Sequence, residues 1–433
     1  SNSIIKWSPN NKYGICFRSA DDKKVVDVFN KSDYLYSINV SESFEQFSNN
    51  AVFGDICWSQ NEEKVVLVVE KKRKKPIKFS EVKDTLENVP DYLDSYRYNS
   101  SYGENLSDHF QTELWMLDIL SHKLNRIANI DYKNYDPAYP SFIENDQLLF
   151  HSISRQPFKL GQIYFSSRSH SLYYLERIIC DDKHTNIEQF YPRRLLPNFF
   201  LALRPLITSS GKILFIGAKN KLYSHCGNLG LYMTTLDNGT EVFETLQDEE
   251  EENEAFSGLP LTHEEISTST LFKDINSSKE YFVTSYMQKG RELLFCMDLE
   301  TKERFLYPEN SEESLWIISK PNPWGLVMKH TTLNDFPSLV YKPFENFRSS
   351  NVRELEKESK RARSEKVSKF YEEIKEQAFE NISLPNGASG RLFSKENNSQ
   401  KPLIVLIHGG PHCMSSFYTW PYLDRNFFLS LNY

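Results

Sequence analysis

The strongest constraint on the fold is a repeat. An aromatic residue, a polar turn and an apolar strand follow one another at Trp7-Ser8-Pro9-Asn10 and Tyr13-Gly14-Ile15-Cys16-Phe17. The same order returns at Trp58-Ser59-Gln60-Asn61 and Val65-Val66-Leu67-Val68-Val69. Looser copies are Tyr139-Pro140-Ser141 before Leu148-Leu149-Phe150, and Tyr191-Pro192-Arg193 before Phe199-Phe200-Leu201. A second element is a short aromatic strand closed by an acid. It ends at Asp118, Glu176, Asp237 and Asp298, which lie 58, 61 and 61 residues apart. A strand-rich unit of this size, repeated, is the signature of a β-propeller blade. The aromatic is expected to wedge between neighbouring blades, and the acid to accept hydrogen bonds from turn amides. A β-sandwich with accidental spacing is the alternative. The Gly-His and Trp-Asp signatures of WD40 propellers are missing. Five or six blades are counted, and a seventh is expected to draw on residues ahead of Ser1.

Length and composition fit more than one domain, since 433 residues exceed the usual span of a single core. Tyr and Phe dominate an aromatic share of 14%, which favours strands. A net charge of −8 with no basic domain argues against a nucleic-acid partner. The six cysteines are scattered without a CxxC pair, which points to a reducing cytoplasm. There is no signal peptide and no apolar run of membrane-spanning length. No cofactor is called for.

Three polar stretches interrupt the repeat. Lys71-Lys72-Arg73-Lys74-Lys75 opens a polar segment to about Ser107, read as a solvated insertion loop. Asp248 to Glu254 is a block of like charge, expected to be mobile. Asn351 to Lys369 is rich in Glu, Lys and Arg and reads as a solvated helix or linker. The expected division is therefore a propeller over 1–350, a linker over 351–369 and a second domain over 370–433. In that domain Ala378–Leu384 alternates as a half-buried strand, Pro385-Asn386-Gly387 marks a turn, and Gly390–Phe393 resumes an extended piece.

Leu403-Ile404-Val405-Leu406-Ile407 then runs straight into His408-Gly409-Gly410-Pro411-His412. An apolar, β-branched run of this kind reads as a buried parallel strand ending in a tight loop. Paired glycines let the loop aim its amide hydrogens at a ligand without Cβ interference. In α/β-hydrolases such a loop supplies half of the oxyanion hole, with the nucleophile elbow Gly-x-Ser-x-Gly following later. No such elbow occurs in these 433 residues. The fold expected is thus mainly β, a propeller that is seven-bladed in the parent, followed by the incomplete start of an α/β-hydrolase domain.

These residues resemble a known family. His408-Gly409-Gly410-Pro411-His412 after a repeated-strand domain is similar to the acylaminoacyl-peptidase branch of the prolyl oligopeptidase family. Pro157-Phe158-Lys159-Leu160-Gly161 and Ser167-Arg168-Ser169-His170-Ser171-Leu172-Tyr173-Tyr174 resemble that branch's Pro-Phe-Arg-Leu-Gly and Asn-Arg-Arg-Ser-x-Leu-Tyr-Tyr runs. Tyr102-Gly103-Glu104 resembles its Trp-Gly-Glu. The departures are Tyr102, Lys159, Ser167, Ser169 and His170. The resemblance implies serine acyl transfer that releases an N-acylated residue from a short peptide, with a propeller restricting entry to the active site. It carries over no nucleophile, Asp or His of the triad, so catalytic residues are expected to be missing and the chain is expected to be an inactive fragment.

What does carry over is the oxyanion contribution, with the Gly410 N–H as donor and Gly409 allowing the approach. The alternative is that both glycines only form a tight strand end. His408 reads as a structural imidazole bracing the loop; His412 braces it too or lines the acyl pocket. Neither reads as a metal ligand, because no third ligand lies nearby. Glu104 and Arg168 are candidates for contacts to substrate termini, with surface or interblade ion pairs as the alternative. The partners implied are short N-acylated peptides, and a homo-oligomer of the complete protein is allowed for. Rival readings are a noncatalytic propeller interaction module or pseudoenzyme and, within enzymes, a dipeptidyl peptidase or prolyl oligopeptidase.

Overall fold

The computed structural model describes residues 5–20, 23–31, 33–48, 50–54, 56–73, 100–103, 105–144, 146–162, 168–180, 191–220, 229–236, 263–288, 291–307, 313–317, 324–332, 338–348, 353–354, 378–383, 385, 389–394 and 405. Asp237, the acidic block at 248–254 and the residues following Val405 lie outside this set. The chain divides into two compact units, Ser1–Ser267 and Thr268–Tyr433.

The first unit is a succession of antiparallel meanders. The first contains β1 (Ile5–Trp7), β2 (Gly14–Ala20), β3 (Lys23–Asn30) and β4 (Asp33–Asn39), paired in that order. In the second, β5 (Gln46–Phe47) and β6 (Cys57–Trp58) both pair with β7 (Lys64–Glu70). β8 (Thr112–Asp118) and β9 (Lys123–Arg126) complete it. The third holds β10 (Tyr135–Glu144), β11 (Gln147–Ser154), β12 (His170–Leu175) and β13 (Arg193–Leu195). The fourth holds β14 (Leu201–Ile207), β15 (Ile213–Ala218) and β16 (Gly230–Thr234), and touches the third through one parallel pairing, His170 with Leu201. A short helix, α1 (His263–Thr268), follows.

The second unit repeats the plan. β17 (Thr270–Lys273), β18 (Glu280–Gln288), β19 (Arg291–Asp298) and β20 (Arg304–Tyr307) form one meander. β21 (Glu313–Ile317), β22 (Gly325–Thr332), β23 (Ser338–Pro343) and β24 (Arg353–Glu354) form the next. The stretch read as a linker thus contributes its residues Arg353 and Glu354 to a sheet, through pairing with Tyr341 and Val340. β25 (Ala378–Ser383) and β26 (Ser389–Ser394) form a hairpin with Phe379 opposite Phe393, where the sequence predicts a strand, a turn and an extended piece.

The core is divided into layers between successive sheets. Side chains alternate across a strand with period two, so a strand buried on both faces serves two layers at once. In β7, Val65, Leu67 and Val69 join Ile15, Val26 and Val28 of the first meander. Val66 and Val68 face the other way, with Leu148 and Phe150 of the third. Leu149 turns to Ala202, Ile213 and Phe215 of the fourth. In the second unit Val283, Leu294 and Cys296 pack on Leu315, Leu326 and Met328. Meanders packed face to face through shared strands are the arrangement that the repeat predicts for blades.

The turns carry the repeat as well. Ser8 N–H donates to the Tyr13 carbonyl at 2.8 Å, and Tyr13 N–H to Ser8 Oγ at 3.0 Å. Ser59 and Lys64 make the same two bonds at 2.9 and 3.0 Å. The residue three beyond each serine is left-handed, Asn11 at φ 57° and Glu62 at φ 60°. Two of the strand-ending acids, Asp118 and Asp298, accept from turn amides as expected. Asp118 Oδ1 accepts from the amides of Leu120 and Ser121, and Asp298 Oδ1 from those of Glu300 and Thr301, all at 2.9–3.1 Å. Glu176 follows the end of β12, the third strand of its meander. The wedging aromatics are a partial correction. Tyr139 is buried, but Trp7 keeps 38% of its surface exposed and Tyr191 55%. Trp7 instead lies over Gly14 in the adjoining strand, where a Cβ would come within 2.8 Å of its ring.

One clamp links two copies of the turn. The buried Glu62 carboxylate accepts hydrogen bonds from Ser8 Oγ, from the Asn10 amide and side chain, and from the Lys12 amide. Burial alone would raise its pKa, but these four donors outweigh it and hold the carboxylate below the usual range. Glu62→Ala leaves the donors without their acceptor and is expected to destabilise the chain by about 1–3 kcal/mol in urea titrations at neutral pH. A depressed carboxylate pKa contributes stability above the unfolded value and loses it as pH falls through the folded value. The gap between wild type and Glu62→Ala should therefore narrow on acidification below about pH 4; a gap independent of pH would contradict the clamp.

Candidate functional site

The two motif segments that carry the family resemblance meet in the first unit. Gln162 N–H donates to the Tyr102 carbonyl at 3.1 Å. Gly103 sits at φ 84°, and a Cβ built on it would lie 3.2 Å from Gly161 Cα. The crossing therefore needs glycine at Gly103 for both its backbone angle and its closeness. Lys159 N–H donates to Ser100 Oγ at 3.0 Å, and Arg168 Nε to the Gly161 carbonyl at 3.0 Å. Gln162 Oε1 lies 3.2 Å from His170 Nε2.

Beneath this crossing lies a buried polar cluster. Asp136, fully buried, accepts from the Tyr102 hydroxyl, from Thr112 N–H at 2.7 Å and from Thr112 Oγ1 at 3.3 Å. Arg155 Nε stands 3.7 Å from the same carboxylate. Burial pushes the Asp136 pKa up against the pull of Arg155 and these donors. The ammonium of Lys159 donates to the backbone carbonyls of Phe110 and His109, and lies 4.9 Å from the centre of the Tyr102 ring. Burial brings its pKa down to about 8, with Asp136 opposing and Arg155 and Arg73 assisting. Alongside, Glu70 accepts from Phe110 N–H at 2.9 Å, Gln46 Nε2 at 2.9 Å and Arg73 at 3.1 Å.

His109 completes the cluster without titrating near neutrality. Its ring stacks on Phe53 with centroids 4.2 Å apart, and its Nδ1 is 3.8 Å from Glu70, beyond hydrogen-bond range. Its Nε2 is buried and has no hydrogen-bond partner among the described residues. Burial, then the nearby Lys159, Arg73 and Arg155, lower its pKa to about 3. Chemically the cluster can hold charge at fixed positions and fasten the motif loop. Among the described residues no group of three His, Cys, Asp or Glu side chains is placed to hold a metal, and no helix is long and apolar enough to cross a membrane.

Of the candidate site residues named from sequence, Arg168 is the one described, half-buried and tied to Gly161. Glu104, His408, Gly409, Gly410 and His412 lie outside the described residues. The structure brings together residues that the sequence offered separately: Tyr102 and Gly103 with Lys159, Gly161 and Arg168. Asp136, Glu70 and His109 were missed. Tyr102 and Lys159 stood in matched motifs, which was the available signal, whereas an acid in a strand has no local mark of burial.

No protein-family model matches the chain. It is 26% identical over 174 residues to the acylamino-acid-releasing enzyme of Homo sapiens, covering 36% of this chain and 24% of the human one. The Sus scrofa enzyme of that name is 25% identical over 174 residues, with the same shares. Among solved structures, an acylaminoacyl peptidase of Pyrococcus horikoshii aligns with a TM-score of 0.55 at 14% identity, over 96% of this chain and 54% of that one. An acylaminoacyl peptidase in complex with Z-Gly-Gly-Phe-chloromethyl ketone aligns with a TM-score of 0.55 at 13% identity, over 98% and 55%. The likeness to acylaminoacyl peptidases read from the motifs is borne out in sequence and in fold, and with it the mainly β, propeller class. The chain spans about half the length of these solved relatives.

The His109 environment gives a test with a defined sign. A histidine whose folded pKa is lowered binds fewer protons in the folded state. Stability is then lost as pH falls from the unfolded value, about 6.5, towards about 3. His109→Phe keeps the stack on Phe53 and removes the buried nitrogen. It is expected to preserve or raise stability at pH 7 and to flatten the decline between pH 6.5 and 4, followed by chemical denaturation across that range. A steeper decline in the variant would refute this account of His109.

Proposed function

We propose that this chain is the propeller-bearing portion of a serine peptidase that releases N-acylated residues from short peptides. The observation that carries the reading is the crossing of Tyr102-Gly103 with Lys159–Gly161, because the segments that resemble the family's runs prove to be one structural feature. The likeness in sequence and fold to acylaminoacyl peptidases supports it.

In this reading a serine attacks the acyl carbonyl, a histidine moves the proton and an aspartate orients the histidine. These groups belong to a longer protein, of which the chain supplies one donor. The Gly410 N–H would face the developing oxyanion, and Gly409 would leave room for the backbone to approach. His408 braces that loop, and His412 braces it or lines the acyl pocket. We assign Arg168 to holding the motif loop through Gly161, which leaves Glu104 as the candidate for a substrate terminus. A reducing, cytoplasmic setting belongs to this reading and rests on the scattered spacing of the six cysteines, none of them in a CxxC pair.

Two outcomes follow. The 433-residue chain should neither hydrolyse acetyl-alanyl nitroanilide nor be labelled by a fluorophosphonate, because no Gly-x-Ser-x-Gly elbow occurs in it. The longer protein should cleave the acetylated substrate and spare unacetylated alanyl nitroanilide. In that protein Gly410→Pro removes the oxyanion donor and should lower kcat by about 10²–10³. Labelling of the 433-residue chain, or an unchanged kcat in Gly410→Pro, would count against the assignment. A longer protein that binds peptides without turnover would favour the noncatalytic module.

A further inference from the structure

A cleft of about 660 Å³ opens in the first unit, where the loop joining the second meander to the third passes over the third sheet. Its volume is in the range of small-ligand sites. The walls are largely aromatic: Tyr132, Tyr135, Phe150, Tyr173 and Tyr191, with Pro192 at the rim. The rings of Phe150 and Tyr173 are stacked with centroids 5.6 Å apart, and Tyr135 leans on Tyr173 at 5.5 Å. Tyr191 leaves 55% of its surface exposed, a large ring held at the mouth of the cleft.

The loop that forms the other side is locked by its own aspartate. Asp131 Oδ1 accepts from the amides of Lys133 and Asn134 at 3.1 and 3.3 Å, and its Oδ2 from Asn134 Nδ2 at 2.7 Å. Both oxygens are thereby occupied with the turn, and the Lys133 ammonium projects from it without an acidic partner among the described residues. Arg126, also in the lining, is different: it is held by Glu113 at 3.4 Å and over the Tyr132 ring. The cleft therefore joins ring faces to a lysine ammonium that no carboxylate pairs with among the described residues, on a turn held by Asp131.

We propose that this cleft binds the C-terminal end of a short peptide, with the terminal carboxylate on Lys133 and a proline or aromatic side chain among the tyrosines. A carboxylate satisfies the ammonium of Lys133, and planar or ring side chains match the walls. The choice of a peptide over another aromatic anion rests on the peptidase reading above; the geometry and charge of the cleft do not.

The test is equilibrium binding to the 433-residue chain, by calorimetry, of acetyl-Gly-Pro-Phe as free acid and as C-terminal amide. The free acid should bind about tenfold more tightly than the amide, as one charge-assisted contact would give. Lys133→Gln should erase that ratio by weakening the acid alone. Tyr191→Ala should weaken both forms alike. Both side chains lie at the surface, so the variants are expected to fold. Equal binding of acid and amide, a ratio unchanged by Lys133→Gln, or no binding of either would overturn the proposal. Binding of adenosine monophosphate in preference to both peptides would replace it with a nucleotide site. The readout needs no turnover, so a parent without peptidase activity but with acid-selective binding here would sink the peptidase reading and leave the cleft standing.

Discussion

The structure depends on strands that serve two core layers at once. A single sheet buries one face easily, but β7, β11 and β15 are buried along nearly their whole length. Each must therefore find apolar neighbours on both sides. Alternation makes that possible: odd and even positions of one strand leave for different layers. Val65, Leu67 and Val69 go one way and Val66 and Val68 the other. The five-residue run of Val and Leu is thus the requirement of a central strand between two sheets, and sets how closely the meanders stack.

Stacking of this kind fixes the faces but not the ends of the sheets. The turns do that, by reusing one pattern of bonds. Ser8 and Ser59 each close their turn through both backbone and hydroxyl, and in each the third residue beyond adopts a left-handed backbone. The second copy then reaches back to the first, since Glu62, in the left-handed position of its own turn, supplies the carboxylate that holds Ser8, Asn10 and Lys12. A local motif is converted in this way into a contact between neighbouring meanders. The aromatic residue ahead of the turn contributes less than its position suggests, for Trp7 covers Gly14 within its own sheet.

The periodic parts of the chain were legible in the sequence for a physical reason. Strands, turn serines and turn-capping acids depend on neighbours a few residues away, so their spacing is visible in one dimension. The hairpin of β25 and β26 was legible likewise, from alternation broken by Pro385. Arg353 and Glu354 were not, because a two-residue strand has no period and their charged surroundings favour a helix on composition. The polar cluster was hidden for the opposite reason. Tyr102 and Asp136 are 34 residues apart, and Lys159 reaches Phe110 across 49. Nothing local marks such partners, and the need for glycine at Gly103 shows only once the two segments are seen to cross.

That cluster also answers a problem which the long insertion creates. β7 ends at Glu70 and β8 resumes at Thr112, so two strands paired side by side are joined through some forty intervening residues. Closing a connection of that length costs chain entropy, although the cost grows only slowly with length. Its two stems are held together where they leave the sheet. Lys71 N–H donates to the Gln111 carbonyl at 2.8 Å, and Glu70 takes the Phe110 amide at 2.9 Å. Asp136 of the next meander takes the Thr112 amide, while Lys159 takes the His109 and Phe110 carbonyls. Groups from the third meander thus finish the hydrogen bonding of a strand that begins in the second. Burying Asp136 and Lys159 is costly for each alone, and the backbone groups they satisfy would otherwise be left bare at the sheet end. The motif that resembles the peptidase family is, at this level, the fastening that lets an inserted segment leave one blade and return to it without opening the layer beside it.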